Sequence, residues 1–261
     1  MKKENPVSVI VLAAGLGSRL EDQTLSKNKC LIDVAGKTII TRLLTQLQSQ
    51  NVANVIMGVG YLSDVLESYI RSNHPEIKSV FVHNPIYARS GSVYSLSLCL
   101  DAVPEGHDVV VFEGDVVVED SLVARSLASL KTLGEQEFST VLAPYSSELT
   151  GTFALINSEK VTAWRHESVR DADFPLLSSF KTVNITAMTA PAVATLQEHI
   201  KITVHLNGVK APLEYAMDSL IKNDYVIRPV VVTHEKWFEV DTAEDLEIAN
   251  EIFSTSALVL S

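Results

Sequence analysis

Three basic residues follow a glycine-rich turn near the start of the sequence. The turn lies in VLAAGLGSRL, just after the apolar run VSVIV, and the basic residues are Arg19, Lys27 and Lys29. A turn of this kind directs backbone N–H groups toward one point, and nearby cations add positive charge there. This pattern favours binding of a phosphate or polyphosphate. The alternative is a tight turn followed by solvated basic side chains, which is common when such a loop stands alone.

Two familiar phosphate-binding loops do not match this turn. A dinucleotide-binding loop needs G-x-G-x-x-G or Ala, but Leu20 stands at the third small position, where its bulk would block close packing of helix on strand. A P-loop needs four residues between its glycines and a Gly-Lys-Ser/Thr ending, which this turn lacks. The turn therefore indicates an anion site of another type.

Two aspartates lie at the ends of segments that are far apart in the chain. Asp115 ends DVVVFEGD, and Asp241 lies in FEVDTAED just before a helical pattern. A bound polyphosphate carries several negative charges, and Mg²⁺ accepts one or two carboxylates while keeping water and phosphate oxygens. Both aspartates are therefore candidate metal ligands. The alternatives are a helix N-cap for Asp241 and a turn residue for Asp115.

Apolar periodicity alternates between strand and helix through the first half of the chain. The strand-like segments VSVIVLA, NVIMGVG, SVFVH and DVVVFEG alternate with the helical segments TIITRLLTQLQSQ, DVLESYIRS, SVYSLSLCLDAV and SLVARSLASLKTL. This alternation predicts an α/β, Rossmann-like fold with a mainly parallel sheet and helices on both faces. Ligands of such sheets bind at the carboxyl ends of the strands, where the glycine-rich turn and Asp115 lie.

The pattern changes in the second half of the chain. FSTVLAP, GTFALIN and KVTAWRH are short strands joined by turns, and two helical stretches and the strand YVIRPVVVT follow Ile185. We therefore expect a single domain over residues 1–253. Within it, residues 138–185 form a small β-rich lid or acceptor-side insertion. Residues 254–261 form a C-terminal tail.

Composition limits the class of function. With 261 residues and 46% hydrophobic content, the chain can bury a large core. A formal charge of −11, from 21 basic and 32 acidic residues, lacks the basic surplus expected of a nucleic-acid-binding protein. No signal segment or 18-residue apolar run occurs, so we expect a soluble, cytoplasmic protein without a membrane partner. Cys30 and Cys99 are expected to be buried free thiols.

Several motifs together resemble one enzyme family. LAAGLGSRL followed by K-C-L resembles the signature of nucleotidyltransferases that join an NTP to a phosphorylated sugar or alcohol and release pyrophosphate. NPIYARSGSVYSLSLCL, VVVFEGDVVVEDSLV, KTVNI and WFEVDTAEDLEIAN resemble, in this order, the phosphocholine and 2-aminoethylphosphonate cytidylyltransferase branch. The resemblance implies a nucleotide-diphospho-sugar transferase type of fold. One position departs from the family pattern, because Asn28 stands where a proline usually precedes the lysine.

The resemblance also implies roles for individual residues. Lys29 and Arg19 would hold the triphosphate and stabilise charge at the reacting phosphorus, with Lys29 the stronger catalytic candidate. Asp115 and Asp241 would bind Mg²⁺ or Mn²⁺. The nucleotide would contact the turn and the segments that follow it, namely Leu12, Ala13, Ala14, Gly15, Gly17, Ser18, Arg19, Lys29, Gly60, Asn84, Ser92, Glu113 and Gly114. Of these, Glu113 would orient the metal site or accept backbone hydrogen bonds.

The acceptor side is less sharply defined. The candidates for acceptor binding are Lys181, Asn184, Glu214 and Trp164, with Trp237, Tyr94 and Tyr145 as further aromatic possibilities. Lys181 would lie near the acceptor phosphate, although a surface lysine is the rival interpretation, and a buried aromatic more often belongs to the core. A quaternary ammonium favours an aromatic cage, whereas a primary amine needs carboxylates or carbonyls. Acidic residues between Glu167 and Asp218 favour the amine, so the first-choice substrates are CTP and 2-aminoethylphosphonate.

Three other functions stay open. The first is a phosphocholine cytidylyltransferase, because the resemblance is to a branch that contains both activities. A sugar-1-phosphate nucleotidyltransferase using another NTP is a second alternative, although the hexapeptide repeats that many of those enzymes carry are absent. A nucleotide-binding sensor is the third, against which both aspartates and Lys29 argue. A homodimer is left open as the assembly.

Overall fold

The computed structural model describes residues 4–254, and a nine-stranded sheet forms its centre. The strands are β1 (Val7–Ala13), β2 (Asp33–Val34), β3 (Lys37–Thr38), β4 (Asn54–Val59), β5 (Ser79–His83), β6 (Asp108–Glu113), β7 (Val116–Val118), β8 (Phe138–Pro144), β9 (Thr152–Asn157), β10 (Lys160–His166), β11 (Phe180–Met188), β12 (Ile227–Val231) and β13 (Trp237–Glu239). The helices are α1 (Ile39–Gln48), α2 (Ser63–Asn73), α3 (Ser92–Asp101), α4 (Asp120–Ser129), α5 (Ala190–Asn207), α6 (Leu213–Lys222) and α7 (Ala243–Phe253). Apart from Ser254, the predicted tail lies outside the described residues.

The parallel part of the sheet is built from the apolar segments that were predicted to be strands. Strands β5, β4, β1 and β6 lie side by side in this order and run parallel. Every residue of β4 is buried, because layers of helices cover both faces of this part of the sheet. The predicted Rossmann-like α/β architecture is confirmed.

Strand β11 connects the parallel strands to the rest of the sheet. Its last residues pair antiparallel with β6, while its other edge pairs with β8, which in turn lies parallel to β12. The β9–β10 hairpin attaches to the first residues of β11. Residues 138–185 therefore contribute β8, the β9–β10 hairpin and the first part of β11 to the nine-stranded sheet. Their role as an acceptor-side insertion stays a prediction.

Helices pack on both faces of the sheet and hold its strands in place. On one face, α1, α2 and α4 contribute Leu44, Leu66 and Leu122 to a buried cluster. On the other face, α3, α5 and α6 form a second cluster. Each leucine fully buried in this way contributes about 1.5–3 kcal/mol relative to an exposed one. The strand ends that carry the candidate residues are therefore held by a well-packed core. No helix within residues 4–254 has the length and apolarity needed to cross a bilayer.

Two short strands, β7 and β13, place the segment before α7 at the carboxyl ends of the parallel strands. Strand β13 pairs antiparallel with β7, and Val240 N donates a hydrogen bond to Asp115 O at 3.0 Å. Helix α7 then begins with a capping box, in which Thr242 and Asp245 each accept a hydrogen bond from the other's backbone N–H. The N-cap is thus Thr242, and the N-cap alternative for Asp241 is wrong.

Candidate active site

The glycine-rich turn forms one wall of a pocket at the carboxyl ends of β1 and β6. This pocket has a volume of about 180 Å³. Its lining includes most of the predicted nucleotide-binding set, namely Leu12, Ala13, Ala14, Gly15, Lys29, Ser92, Glu113 and Gly114. A Cβ on Gly114 would lie 2.7 Å from the carbonyl oxygen of Leu12 and 2.6 Å from Sγ of Cys30. Only glycine therefore lets the chain after β6 pass so close to β1.

The outer part of the turn lies beyond the pocket wall. Gly17 has a φ of 63°, a left-handed backbone that favours glycine, and Ser18 and Arg19 are exposed after it. The Arg19 guanidinium reaches Oδ1 of Asp241 at 2.8 Å while remaining largely exposed. Arg19 is thus an exposed positive charge at the mouth of the site, whereas Ser18 lines no part of the pocket.

Two further predicted nucleotide-binding residues, Asn84 and Gly60, contact residues of the pocket wall. Asn84 is buried and donates hydrogen bonds to the hydroxyls of Ser90 and Ser95, both at 2.8 Å. A Cβ on Gly60 would lie 2.6 Å from Cβ of Tyr87, so glycine is needed there for close packing. Because Ser90, Ser95 and Tyr87 line the pocket and Asn84 and Gly60 do not, the latter two act on its shape.

The ammonium of Lys29 lies between the two predicted metal ligands. Its Nζ donates to Oδ2 of Asp115 at 2.8 Å and to Oδ1 of Asp241 at 2.7 Å. Burial alone would lower the pKa of Lys29, but the two carboxylates outweigh it and raise that pKa above its ordinary value. Lys29 is therefore charged at neutral pH. Lys29, Asp115 and Asp241, which are the residues predicted to serve phosphate chemistry, therefore converge at one point.

A cluster of three carboxylates includes Asp115 but not Asp241. One oxygen from each of Glu113, Asp115 and Glu239 lies within 4.8 Å of the others. Oδ1 of Asp115 is buried and has no hydrogen-bond partner among the described residues. Hard oxygen ligands grouped in this way suit a divalent cation such as Mg²⁺. Burial, reinforced by Asp115, raises the pKa of Glu113, and burial likewise raises the pKa of Glu239 against the opposing charge of Lys181.

Sequence reasoning missed Glu239. The available signal was a repeated spacing, because E-G-D at 113–115 and E-V-D at 239–241 both place two carboxylates on one side of an extended chain. The pairing of β7 with β13 then brings the two motifs together. The three-residue strands that create this pairing are too short to show an apolar period.

Lys181 and Asn184 approach the cluster through Glu239. Lys181 is only 4% exposed, and its Nζ donates to Oε2 of Glu239 at 3.2 Å, so the surface-lysine alternative is wrong. Asn184 Nδ2 donates to Oε1 of Glu239 at 3.2 Å. Asn184 has a φ of 60° where the register of β11 against β8 shifts. Asparagine tolerates this left-handed backbone, and the irregularity directs its side chain toward Glu239.

A second, smaller cavity also contains Glu113 in its lining. It has a volume of about 20 Å³ and is lined by Val111, Glu113, Trp164, Asn184, Thr186, Leu213 and Glu214. Glu214 Oε1 accepts a hydrogen bond from Thr152 Oγ1 at 2.9 Å. The indole nitrogen of Trp164 is buried and has no partner within the described part of the chain. Three of the four predicted acceptor residues thus line one cavity, which shares Glu113 with the larger pocket.

Other acceptor candidates are engaged elsewhere. Asp218 forms ion pairs with Arg165 and with Lys222, and Glu167 accepts a hydrogen bond from Gly151 N. Trp237 packs against the core cluster beneath α1, α2 and α4. The two cysteines are buried free thiols as predicted, and burial raises the pKa of each to about 12.

The chain is similar in sequence to three curated cytidylyl-transferring proteins. It is 28% identical over 256 residues to the CMP-5'-(3-aminopropyl)phosphonate synthase of Streptomyces rubellomurinus, a match covering 95% of this chain and 39% of that protein. It is 34% identical over 116 residues to the choline-phosphate cytidylyltransferase of Haemophilus influenzae, covering 44% and 47%. It is 27% identical over 132 residues to the 2-aminoethylphosphonate cytidylyltransferase of Lancefieldella rimae, covering 51% and 52%. The chain spans about two fifths to one half of the length of these relatives.

A solved structure and a family model agree with these matches. The CTP:phosphocholine cytidylyltransferase of Streptococcus pneumoniae superposes with a TM-score of 0.73 at 20% identity, covering 95% of this chain and 99% of that one. At this identity the likeness shows the fold alone, and it confirms the nucleotidyltransferase type of fold. The model of the MobA-like NTP transferase domain matches residues 9–179, which include the glycine-rich turn, Lys29 and Asp115. The chain therefore belongs to the family of MobA-like NTP transferase domains.

Proposed function

We propose that this protein is a cytidylyltransferase that transfers CMP from CTP to a small phosphonate or phospho-alcohol. The observation that carries the proposal is the Lys29 ammonium held by Asp115 and Asp241 beside the pocket of the glycine-rich turn. An acceptor oxygen attacks the α-phosphorus of CTP and forms a new P–O bond. The bond from that phosphorus to the oxygen bridging the β-phosphorus breaks, and pyrophosphate leaves with the electron pair.

The residues around the pocket meet the electrostatic demands of this reaction. Backbone N–H groups of the turn face the triphosphate, and the ammonium of Lys29 stabilises the negative charge that grows at the reacting phosphorus. Arg19 adds a second positive charge at the mouth of the site. Held by Asp115 and Asp241, Mg²⁺ or Mn²⁺ would neutralise phosphate oxygens and help to align them. Glu239 is a further candidate ligand for that ion.

Our first choice of acceptor is 2-aminoethylphosphonate, and the small cavity supports it. One water molecule needs a cavity of about 10–15 Å³. The small cavity, with about 20 Å³, therefore has room for a group of the size of a water molecule. A primary ammonium is of that size and donates three hydrogen bonds, which the carboxylates of Glu113 and Glu214 and the amide oxygen of Asn184 can accept. A trimethylammonium group is larger and has no N–H to donate.

Lys181 supplies the cation that the other end of such an acceptor needs. Its ammonium is buried and is linked through Glu239 to the carboxylate cluster around Asp115. A buried ammonium interacts strongly with a phosphonate, because water screens the pair only weakly. The names of two relatives, which refer to aminopropylphosphonate and aminoethylphosphonate, also support an aminoalkylphosphonate.

Pyrophosphate release in a matrix of substrates tests this proposal. Each of CTP, UTP, GTP and ATP is combined with 2-aminoethylphosphonate, phosphocholine, glucose-1-phosphate or ethylphosphonate, which lacks only the amine. We expect the highest kcat/KM with CTP and 2-aminoethylphosphonate and a loss of about tenfold or more with ethylphosphonate. Faster turnover of phosphocholine would replace the first choice of acceptor, and faster turnover of glucose-1-phosphate with UTP would replace the whole branch. Binding of CTP without turnover of any acceptor would favour a sensor.

A further inference from the structure

Asn28 is a fully buried polar residue directly before Lys29. Its side chain is 0% exposed and makes three hydrogen bonds. Nδ2 donates to the carbonyl oxygens of Ala13 at 3.0 Å and Tyr61 at 2.9 Å, while Oδ1 accepts from Cys30 N at 3.0 Å. Both amide hydrogens are therefore used, and the bonds connect three segments of the chain. Leaving such partners unsatisfied in a buried site is costly.

These bonds close a loop that begins at the glycine-rich turn. Tyr61 N donates to the carbonyl oxygen of Ala14 at 3.1 Å, and the Tyr61 hydroxyl donates to the carbonyl oxygen of Thr24 at 3.0 Å. The backbone of Tyr61 thus holds the start of the loop through its N–H and the end of the loop, at Asn28, through its carbonyl oxygen. Both ends of the loop over residues 14–28 are therefore hydrogen-bonded to Tyr61, and the side chain of Asn28 makes the bond at the second end.

We infer that Asn28 is a positioning residue, which fixes the backbone from which Lys29 extends to Asp115 and Asp241. Hydrogen bonds from its side chain do here what the fixed ring of a proline would do. The Asn28 backbone has φ −63° and ψ 146°, and proline holds φ near about −65°. Within the described residues, Asn28 N–H donates to no other group, so a proline at this position breaks no backbone hydrogen bond.

The inference rests on the proposed function only for its catalytic consequence. Lys29 contacts both aspartates through a long side chain whose starting point is set by residues 28 and 30. A displacement of the backbone by about 1 Å in an active site can lower the rate about 100-fold. The same displacement would loosen the loop whether or not a substrate is present. The two consequences can therefore be measured separately.

Hydrogen exchange and steady-state kinetics of two variants at this position test the inference. In Asn28→Ala, we expect the Cys30 amide and the loop over residues 14–28 to exchange at least about tenfold faster. We expect kcat to fall about 10- to 100-fold while KM for CTP changes by less than about threefold. Asn28→Pro should recover most of the lost kcat and of the lost protection, because its ring restores the backbone angle.

Gln46→Ala is the matched control for loss of a buried side-chain amide. Gln46 Nε2 also makes two hydrogen bonds, to Val118 O and Asp120 Oδ1, both at 2.8 Å, but lies outside the pocket lining. This variant should lose stability without faster exchange in the loop. Wild-type exchange and kcat in Asn28→Ala would overturn the inference, as would an equal fall of kcat in Gln46→Ala.

Two further results keep the test decisive. If Asn28→Ala does not fold, Asn28→Asp replaces it, because aspartate keeps the acceptor for Cys30 N but cannot donate to Ala13 or Tyr61. We expect faster loop exchange in Asn28→Asp, and unchanged exchange would overturn the inference. If the wild-type protein turns over no acceptor, the proposed function fails, and the exchange data alone still decide whether Asn28 fastens the loop.

Discussion

The ammonium of Lys29 lies 2.7 Å from Oδ1 of Asp241, although 212 positions separate the two residues in the chain. The same ammonium lies 2.8 Å from Oδ2 of Asp115. One side-chain cation thus compensates two carboxylates that come from different segments. Carboxylates that share a site repel each other unless a cation accompanies them. A divalent ion bound by these aspartates would therefore lie beside the Lys29 ammonium and would add positive charge to the same pair of carboxylates.

Replacing Lys29 by methionine should show how far a divalent ion can take over this charge compensation. Lys29→Met keeps most of the side-chain length but removes the cation that Asp115 and Asp241 share, and leaves Asp241 with only the exposed Arg19 guanidinium. We therefore expect a loss of stability on the order of 2 kcal/mol without divalent ions. Added Mg²⁺ or Mn²⁺ should then raise Tm more than it does in the wild type. Turnover should fall about 100-fold or more in kcat. Thermal unfolding with and without Mg²⁺ and steady-state kinetics measure these effects.

A lysine far from the site provides the control for this experiment. Lys131 pairs with Glu4 on the surface, and Lys131→Met should leave both kcat and the Mg²⁺-dependent shift of Tm as in the wild type. A change in Lys29→Met confined to KM would make Lys29 a residue of uniform substrate binding and would contradict its catalytic role.

Removing one charge from either aspartate should weaken binding of the divalent ion. Asp115→Asn and Asp241→Asn keep the shape of the side chain, so we expect folded proteins with turnover reduced about 100-fold or more. Binding of Mn²⁺, followed by electron paramagnetic resonance, should weaken in both variants. Asp64→Asn, on the exposed side of α2, is the control. Near-normal activity in Mg²⁺ for either site variant would refute the assignment.

The sequence was sufficient to predict most of the sheet and the closeness of Asp115 to the glycine-rich turn. The apolar runs of β1, β4 and β6 and the amphipathic segments of α1 and α2 predicted their elements within a few residues. Because parallel strands end at the same edge of a sheet, Asp115 and the glycine-rich turn had to lie close together. These features follow from local periodicity and from general rules of topology.

The features that the sequence did not reveal depend on long-range pairing. Strands β7 and β13 have three residues each, and their contact, which carries Glu239 into the site, has no local signal. At position 28, an asparagine in place of a proline suggests a less rigid loop. The side chain of Asn28 nevertheless makes three hydrogen bonds, which only the folded chain can form. From the sequence alone, the acidic residues between Glu167 and Asp218 were equally good candidates for binding an amine. In the structure, Glu214 lines the small cavity, whereas Asp218 forms ion pairs with Arg165 and Lys222.

Removing the charge of Glu214 should weaken recognition of an amine-bearing acceptor. Glu214→Gln keeps a carbonyl oxygen that can accept from Thr152 but loses the negative charge beside the small cavity. We expect KM for 2-aminoethylphosphonate to rise about tenfold or more, the size of a hydrogen bond to a charged group. KM for ethylphosphonate should not change. Glu198→Gln, on the exposed side of α5, is the control, and equal effects on both acceptors would sink the ammonium role of Glu214.

His199 should make the stability of the fold depend on pH below neutrality. Its ring is 6% exposed, and Nδ1 lies 2.7 Å from Oγ of Ser219. Burial lowers the pKa of His199 below its ordinary value of 6.5, despite an opposing effect of Glu198. The unfolded chain therefore takes up a proton at a higher pH than the folded protein does. Above pH 6.5 both states are neutral and His199 has no effect, whereas stability is lost as pH falls below that value.

Urea unfolding of the wild type and of His199→Gln at about pH 7.5 and about pH 5.5, on either side of the ordinary histidine pKa, measures this contribution. Glutamine can still form a hydrogen bond with Ser219 but does not titrate. The free energy of unfolding should therefore fall less in the variant than in the wild type between the higher and the lower pH. The buried carboxyl groups of Glu113 and Glu239, whose pKa values are raised, act in the opposite direction, but they are present in both proteins and cancel in the comparison. His234→Gln, which replaces an exposed ring, should show the wild-type pH dependence. An equal fall in wild type and His199→Gln would mean that His199 does not couple folding to protonation.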